Sequence, residues 1–276
     1  MANGEMANEA DGASTYHVLV SFLTRAASPR LAAVVERLWY VEDAQPTGDP
    51  ETICPDGCPE IVIHLGEAMQ HQPRFLLVGQ MAAPLTIVPT GPVIMVGARL
   101  APAGLHRLLP MPQERGVGRI FPLESVWSTW TRCTAERVSA ARSPLVALDV
   151  FERAIEALIP PEAKAASDVH LEAAIATLRA RAGHVAITRL ADDAGVSRRH
   201  FERCFRERVG LSPRLYARIV RFQRAFQALG TESGAIIAAR YGYADQAHLV
   251  REIRRFAGIT PTALAEADGL TAFFRQ

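Results

Sequence analysis

The hydrophobic positions of this 276-residue chain change their spacing roughly three fifths of the way along it. Up to residue 125 they form short apolar runs separated by turns, a pattern typical of β-strands. Beyond residue 168 they recur at intervals of three and four residues, which is typical of amphipathic helices. The pattern therefore predicts a mixed N-terminal part and an all-helical C-terminal part.

In the N-terminal part the apolar runs predict strands at RLWYVE (37–42), EIVIHLG (60–66), RFLLVGQ (74–80), PLTIVPT (84–90) and PVIMVGARL (92–100). Helical spacing predicts a helix before the first strand at SPRLAAVVERL (28–38) and a short one after the last at APAGLHRLL (101–109). Residues 15–125 are thus expected to form a small α+β domain.

Two further helices are predicted over residues 122–142 and 145–159. We take residues 126–160 as a helical connector and as a candidate for dimerisation. The polar, alanine-rich stretch after the prolines of IPPEAKAASD suits a linker at 161–168. The polar, acidic residues 1–14 are expected to be disordered, and residues 269–276 form a tail.

The C-terminal part contains an internal repeat, LADDAGVSRRHFERCFRERVGLSP (190–213) and IAARYGYADQAHLVREIRRFAGITP (237–261). Each copy has a small alanine, then a glycine four residues later, then a second apolar-periodic segment. The alanine lets two helices approach closely, and the glycine permits the left-handed backbone of a tight turn. Each copy therefore has the layout of a helix-turn-helix unit, with a helix over about 213–229 joining the two.

This repeat resembles the DNA-binding domain of the AraC/XylS transcription regulators. The matching residues are Leu190, Ala191, Gly195, Val196, Ser197, Phe201, Arg203 and Phe205 in the first unit, and Ala238, Gly242, Tyr243, Leu249, Phe256, Gly258, Thr260 and Pro261 in the second. Leu249 and Ile253 stand where the family usually has phenylalanine, and both remain apolar. The resemblance covers residues 169–268 and implies an all-α domain that binds double-stranded DNA and, in an activator, also contacts RNA polymerase.

The helical periodicity places several polar side chains on the outer face of the second helix of each unit. The resemblance assigns base contacts to Arg199, Glu202, Arg203, Ala247, His248 and Arg251, and we add Gln246 because glutamine can read adenine. A second interpretation of Glu202 is an intrahelical ion pair, since it lies four residues from both Arg198 and Arg206 and can pair with either. The predicted phosphate contacts are Ser197, Arg206, Arg214 and Arg218.

The charge distribution agrees with a polyanion-binding C-terminal part. The net charge of +1 divides into −5 for residues 1–167 and +6 for residues 168–276, and residues 196–225 alone carry +7. A protein from an arginine-rich proteome would show a similar excess of arginine without binding nucleic acid. Charge alone therefore does not distinguish a nucleic-acid-binding domain from a proteome-wide bias.

The N-terminal part resembles, more faintly, a small domain without established function that precedes such DNA-binding domains. The markers of this resemblance are Trp39, Pro55, Asp56, Gly57 and residues 97–102. It suggests a sensor domain for a small-molecule effector but names no ligand. The candidate ligand residues are Trp39, His64 and Arg99, since Trp39 offers a flat apolar face and Arg99 lies in an apolar strand where it could hold an anion.

The segment CPDGCPEIVIH (54–64) raises three interpretations. Pro55, Asp56 and Gly57 can form a tight turn that closes a hairpin, with the two cysteines facing each other across it. Cys54 and Cys58 could instead form a redox-sensing pair, or bind a metal together with His64. A metal site needs three or four ligands and this segment supplies three at most, so we favour the plain turn, with no metal and no cofactor.

Composition excludes other classes of protein. Four scattered cysteines and the absence of a signal-peptide pattern indicate a cytoplasmic protein, and no apolar run approaches the ~20 residues that span a bilayer. No catalytic constellation is apparent, so we expect a DNA-binding regulator and not an enzyme. The alternatives are a DNA-repair alkyl acceptor or a metal or redox sensor that uses Cys54 or Cys58, and a constitutive DNA binder whose N-terminal domain serves only to form a homodimer.

Overall fold

The computed structural model describes residues 21–66, 69, 72–160 and 169–260. The predicted disorder of residues 1–14, the linker at 161–168 and the tail at 269–276 lie outside these residues. Within the described ranges, none of the helices has both the length and the apolar character needed to cross a bilayer. As expected, a β-rich N-terminal domain is followed by a helical C-terminal domain.

The N-terminal domain is built on a six-stranded antiparallel sheet. In spatial order its strands are β1 (Ser21–Ala26), β2 (Val35–Asp43), β7 (Val93–Leu100), β4 (Glu60–His64), β5 (Phe75–Val78) and β8 (Ile120–Pro122). A separate two-stranded sheet pairs β3 (Glu51–Ile53) with β6 (Leu85–Ile87). Because successive side chains of a strand point to opposite faces, the large sheet has two distinct apolar faces.

Helices cover one of these faces. After α1 (Gly104–Leu108) and a 3₁₀ turn (Gln113–Gly116), the chain forms α2 (Glu124–Ser139) and α3 (Pro144–Glu156). Leu148 and Phe151 of α3 are buried with Leu38, Ile61 and Ile63 of the sheet. The helical connector therefore shares the core of the N-terminal domain. The opposite face carries a smaller core around Trp39, Val62 and Met95, to which Ile87 of the two-stranded sheet contributes.

Among residues 169–260, the C-terminal domain contains α4 (Val169–Ala180), α5 (Ile187–Asp193), α6 (Arg198–Val209), α7 (Pro213–Gln227), α8 (Gly234–Arg240) and α9 (Gln246–Ala257). The predicted repeat is confirmed. The first helices of the two units have seven residues each and the second helices have twelve each. Gly195 and Gly242 take φ values of +66° and +63° in the two turns, so both units need glycine for the same reason.

Side-chain caps fix where these helices begin. The hydroxyls of Ser197, Ser212 and Ser233 and the carboxylate of Asp245 each accept a hydrogen bond from a backbone N–H three residues later. Such a cap satisfies one of the N–H groups that a helix leaves without an internal partner. The Ser197 cap places the first residue of α6 at Arg198.

One predicted helix is wrong. Residues 29–34 of SPRLAAVVERL form only turns, closed by hydrogen bonds from the N–H groups of Val34 and Val35 to the Leu31 carbonyl, and β2 begins at Val35. The β-branched Val34 and Val35 and the pairing of Val35 with Leu100 on β7 favour a strand over a continued helix. The short strands β1, β3 and β8 were not predicted, because each is half-exposed and lacks a long apolar run.

The expected hairpin at residues 54–58 is also wrong. β3, which precedes this turn, pairs with β6, whereas β4, which follows it, pairs with β5 and β7. The turn therefore links two different sheets. Its local chemistry is as predicted, since Gly57 has a φ of +82° and the Asp56 carboxylate accepts a hydrogen bond of 2.9 Å from the Cys58 N–H.

Candidate functional site

The outer face of α6 presents the arginines that the sequence assigned to it. Arg199 and Arg203 are exposed, while Phe201 and Phe205 point into the core. Arg203 lies 3.6 Å from the Glu207 carboxylate, an exposed pair that a competing phosphate or base can replace. Arg203 also lies 3.2 Å from the His200 ring, and both arginines are on the solvent-facing side of the helix.

Glu202 is half-buried and accepts a 2.8 Å hydrogen bond from Arg198 one turn earlier. This is the intrahelical pair that the spacing allowed. The same carboxylate remains a candidate base contact, since a pair on a helix surface contributes only about 0.3–0.5 kcal/mol.

The second unit repeats this surface on α9. Gln246, Ala247 and Arg251 are exposed, and Arg251 holds the same place relative to Leu249 as Arg203 does relative to Phe201. His248 is half-buried, its ring lying edge-on to Tyr243 at 5.3 Å while its Nδ1 accepts the Ala244 N–H. These contacts hold the His248 ring at the start of the helix.

The four predicted phosphate contacts have different surroundings. Arg206 and Arg214 are exposed. Ser197 is also exposed, and its hydroxyl caps α6. Arg218 instead donates to both carboxylate oxygens of the buried Glu252, at 2.6 and 3.1 Å, and lies over the Phe256 ring. This bidentate pair joins α7 to α9, so Arg218 helps to hold α9 in place on α7.

The turn at residues 54–58 packs directly on α7 of the C-terminal domain. Cys54 is buried within the apolar core of that domain. The Gln223 side chain donates a 2.7 Å hydrogen bond to the Pro55 carbonyl. Gly57 lies so close to Tyr216 that a Cβ there would be 2.7 Å from the ring. The turn is thus a contact between the two domains.

Arg179 of α4 completes this contact. It forms an ion pair with Glu36, donates 2.8 Å to the Tyr216 hydroxyl and reaches the Cys58 sulfur at 3.2 Å. Arg99 of β7 lies on the other side, 3.0 Å from Asp56 and 3.7 Å from Glu36. We call Glu36, Asp56, Cys58, Arg99, Arg179 and Tyr216 the interdomain polar cluster. Charged groups from both domains therefore meet in one network.

A cavity of about 150 Å³ opens beside this cluster. Its apolar lining comes from both sheets and includes Trp39, Val62, Leu76, Ile87 and Met95. Its polar lining is Arg37, Cys54, Asp56, Cys58, Glu60, Gln72, Arg99 and Gln223. Since Gln223 belongs to α7, the C-terminal domain forms part of the cavity wall. Most sites for small molecules have this composition, an apolar surface with a few convergent polar groups.

Of the three predicted ligand residues, the structure places Trp39 and Arg99 in the cavity wall. His64 lies on the same strand as Glu60 and Val62 but is outside the lining. It is buried, both ring nitrogens lack a hydrogen-bond partner among the described residues, and burial lowers its pKa to about 4. A neutral imidazole in this position is a part of the core.

The two turn cysteines are not positioned for chemistry. Both are buried as free thiols, and burial raises the pKa of each to about 12, with a further increase for Cys54 from the neighbouring Asp56. Within the described ranges, no three His, Cys, Asp or Glu side chains are placed to hold a metal ion. Neither thiol is exposed to solvent in this turn.

This burial leads to a prediction on thiol reactivity. In the native protein at pH 8, Cys54 and Cys58 should react with iodoacetamide at least about a hundredfold more slowly than the exposed Cys133, because only the thiolate is nucleophilic. Pulse alkylation followed by peptide mass spectrometry measures the three rates. Labelling of Cys58 as fast as Cys133 would show that the turn opens in solution.

Several residues of this region were not predicted from the sequence. The sequence around them has ordinary helical or strand spacing, which does not distinguish a residue at a domain contact from any other surface or core residue. These residues are Glu36, Arg179, Tyr216 and Gln223. Glu60 was not predicted either; in the structure it lies opposite Arg99 on the neighbouring strand. The one usable signal was Pro55-Asp56-Gly57, which indicated a turn but not what packs on it.

Two helix-turn-helix units on one connecting helix, with exposed arginines on both second helices, define a DNA-binding domain. Comparison with known families agrees: residues 190–267 match the family described as "Helix-turn-helix domain", which is of the AraC type, and residues 24–119 match "Domain of unknown function (DUF6597)". The chain therefore carries an AraC-type helix-turn-helix domain behind a DUF6597 domain. No curated protein matches it.

Among solved structures, the chain is similar to ToxT from Vibrio cholerae. An apo ToxT variant is 9% identical, with 87% of this chain and 98% of that chain covered and a TM-score of 0.47. A second ToxT structure is 10% identical, with 91% and 98% covered and a TM-score of 0.41. An unsaturated fatty acid bound wild-type ToxT is 9% identical, with 89% and 94% covered and a TM-score of 0.39.

Proposed function

We propose that this protein is a sequence-specific DNA-binding transcription regulator whose DNA affinity is changed by a small molecule bound in the cavity. The AraC-type domain supports DNA-binding transcription regulation. Specificity is proposed to come from base contacts by Arg199, Glu202 and Arg203 on α6 and by Gln246, Ala247, His248 and Arg251 on α9. Ser197, Arg206, Arg214 and Arg218 are the proposed phosphate contacts.

The observation that carries the effector proposal is the shared wall of the cavity. Gln223 lines the cavity from α7 and also holds the turn at residues 54–58 through the Pro55 carbonyl. Because α7 connects both helix-turn-helix units, a ligand that moves this turn acts on the helix that positions both recognition helices. A ligand can shift DNA affinity only if it interacts differently with two arrangements of the domains, and a ligand that contacts Gln223 touches both domains at once.

The test starts with selection of a binding site from random duplexes by the full chain. Fluorescence anisotropy then compares the enriched site with a scrambled duplex, and we expect a preference of about 10³-fold or more. Val62→Trp fills the cavity and should change the affinity for the enriched site by about fivefold or more. Val146→Trp, on the exposed surface of α3, is the control and should leave this affinity unchanged.

Two results would contradict the proposal separately. A folded protein that binds the enriched and scrambled duplexes equally does not read DNA sequence. If the protein prefers the enriched duplex but Val62→Trp binds it with the same affinity as the wild type, DNA affinity is not controlled through the cavity. The second outcome would favour the constitutive binder, whose N-terminal domain serves only to form a homodimer.

A further inference from the structure

His248 occupies the third position of α9, and its ring is held on one side only. Its Nδ1 lies 3.3 Å from the Ala244 N–H, and the ring stands edge-on to the buried Tyr243, with 5.3 Å between the ring centroids. Both partners belong to the turn before α9, so the ring is fixed against the turn of its own helix-turn-helix unit. Its Nε2 has no hydrogen-bond partner among the residues that the structure describes.

The contact with Ala244 decides which ring nitrogen carries the proton. A backbone N–H group can only donate a hydrogen bond, so the Nδ1 that faces it accepts one and is unprotonated. In the neutral imidazole the proton is therefore on Nε2. His248 thus presents an N–H donor from the one ring nitrogen that has no partner within the described residues.

His248 lies on the face of α9 that the proposed function turns toward DNA. His248 and Arg251 are three residues apart and so are neighbours on the helix surface. The helix rises about 4.5 Å over three residues, which is close to the ~3.4 Å between successive base pairs. We therefore expect the two side chains to reach the same base pair or neighbouring ones.

We propose that His248 is a specificity-determining residue that recognises guanine through its Nε2–H group. In the major groove guanine presents two neighbouring acceptors, N7 and O6, whereas cytosine presents only the N4 donor. Adenine has one acceptor beside a donor, and thymine has one acceptor beside a methyl group. A single fixed N–H donor is therefore satisfied best by guanine. This inference rests on the proposed function, in which His248 is a base contact, and adds which base it recognises.

The first unit provides a comparison, because His200 holds the equivalent position of α6. The backbone N–H of each histidine donates to the side chain that caps its helix. The Nδ1 of His200 lies 3.2 Å from an Arg203 nitrogen, and its Nε2 lies 3.3 Å from the Cys204 sulfur. Both ring nitrogens of His200 therefore have partners within α6, and His200, unlike His248, has no ring nitrogen left for a base.

The first test uses the full chain without DNA. A long-range ¹H–¹⁵N NMR spectrum distinguishes a protonated from an unprotonated ring nitrogen, and the His248 signals are those that disappear in His248→Ala. The cap of α9 remains in this variant, because the Asp245 carboxylate accepts from the backbone N–H. At about pH 8 we expect a protonated Nε2 and an unprotonated Nδ1. The opposite tautomer, or an equal mixture of the two, would overturn the inference whether or not the protein binds DNA.

The second test measures fluorescence anisotropy with the enriched duplex, carrying each of the four base pairs in turn at and beside the position that Arg251→Ala relaxes. At one of these positions we expect the wild type to prefer guanine by about fivefold or more. His248→Ala should lose this preference. His248→Gln should shift it to adenine, because an amide carries both a donor and an acceptor. His200→Ala is the matched control and should leave the preference for guanine at this position unchanged.

Three results of the second test would overturn the inference. One is a preference for guanine that survives in His248→Ala, and another is a wild-type preference for a different base at the position that His248→Ala affects. The third is an equal loss of affinity for all four base pairs in His248→Ala and His248→Gln, which would give the ring a structural role. In each of these cases a wild type that still prefers the enriched over the scrambled duplex retains the proposed function, so the two failures are distinguishable.

Discussion

Replacing Arg203 or Arg251 with alanine is expected to weaken binding to the selected DNA site by about 1–3 kcal/mol and binding to random duplex by much less. Both arginines are exposed at equivalent positions of α6 and α9. A guanidinium group that hydrogen-bonds to O6 and N7 of a guanine stabilises binding only to DNA that has guanine at that position. The two variants should therefore lose preference at base pairs about one helical turn (~34 Å) apart, which a binding-site selection for each variant measures.

Arg214→Ala is the control, because Arg214 is exposed at the start of α7 and is a proposed phosphate contact. Loss of a phosphate contact weakens all sequences alike and lowers the slope of the salt dependence by about one. Affinities at two salt concentrations separate the two kinds of contact. If Arg203→Ala behaves as Arg214→Ala does, Arg203 is a phosphate contact and Arg199 becomes the next candidate for reading the base.

Gly57→Ala is expected to lower the free energy of unfolding by about 2–5 kcal/mol. The left-handed backbone at this position costs a residue with a Cβ about 1–2 kcal/mol. The new Cβ would also lie 2.7 Å from the ring of Tyr216, which is fully buried in the C-terminal domain, and such overpacking costs about 1–3 kcal/mol. Urea unfolding followed by far-UV circular dichroism measures the loss.

Gly118→Ala is the matched control for this substitution. Gly118 has a φ of +68°, but a Cβ there would meet nothing within 4 Å, so only the backbone cost of about 1–2 kcal/mol applies. The difference between the two variants isolates the contact between the domains. Equal losses in both would mean that the turn at residues 54–58 does not press on Tyr216 in solution.

The C-terminal domain could be predicted from the sequence because its determinants are local and repeated. Gly195 and Gly242 mark two turns, Ser197 caps a helix, and Phe201 and Phe205 fall on one face of α6. Each of these signals depends on residues within about one turn of one another. Two copies of the same pattern then support each other, so the helices were placed to within a few residues.

The N-terminal domain was predicted less completely, because strand pairing depends on residues far apart in the chain. The apolar runs identified β2, β4, β5, β6 and β7, but no local signal shows that β3 pairs with β6 and not with β4. For the same reason the turn at residues 54–58 was predicted as a hairpin. Val34 and Val35 fitted a helical spacing, and their β-branched side chains favour a strand only weakly until Val35 pairs with the distant Leu100.

The residues of the candidate cavity also differ in whether the sequence could predict them. Trp39 and Arg99 could be proposed from residue type alone, since an indole and a guanidinium group within apolar strands are unusual enough to notice. His64 looked equally suitable, but burial in the core removes it from the wall. Gln223 could not be proposed, because its place depends on how the two domains pack together.

The packing of the turn at residues 54–58 on α7 also restricts how freely the two halves of this protein can be exchanged with those of others. A chimera that joins this N-terminal domain to a foreign helix-turn-helix domain would lack the partners of Glu36, Pro55 and Gly57. A graft that carries arginine, tyrosine and glutamine at the positions of Arg179, Tyr216 and Gln223 would restore them. Arg179, Tyr216 and Gln223, together with the Arg107–Glu172 ion pair between the two halves, thus make these halves parts that have to be inherited together and not interchangeable modules.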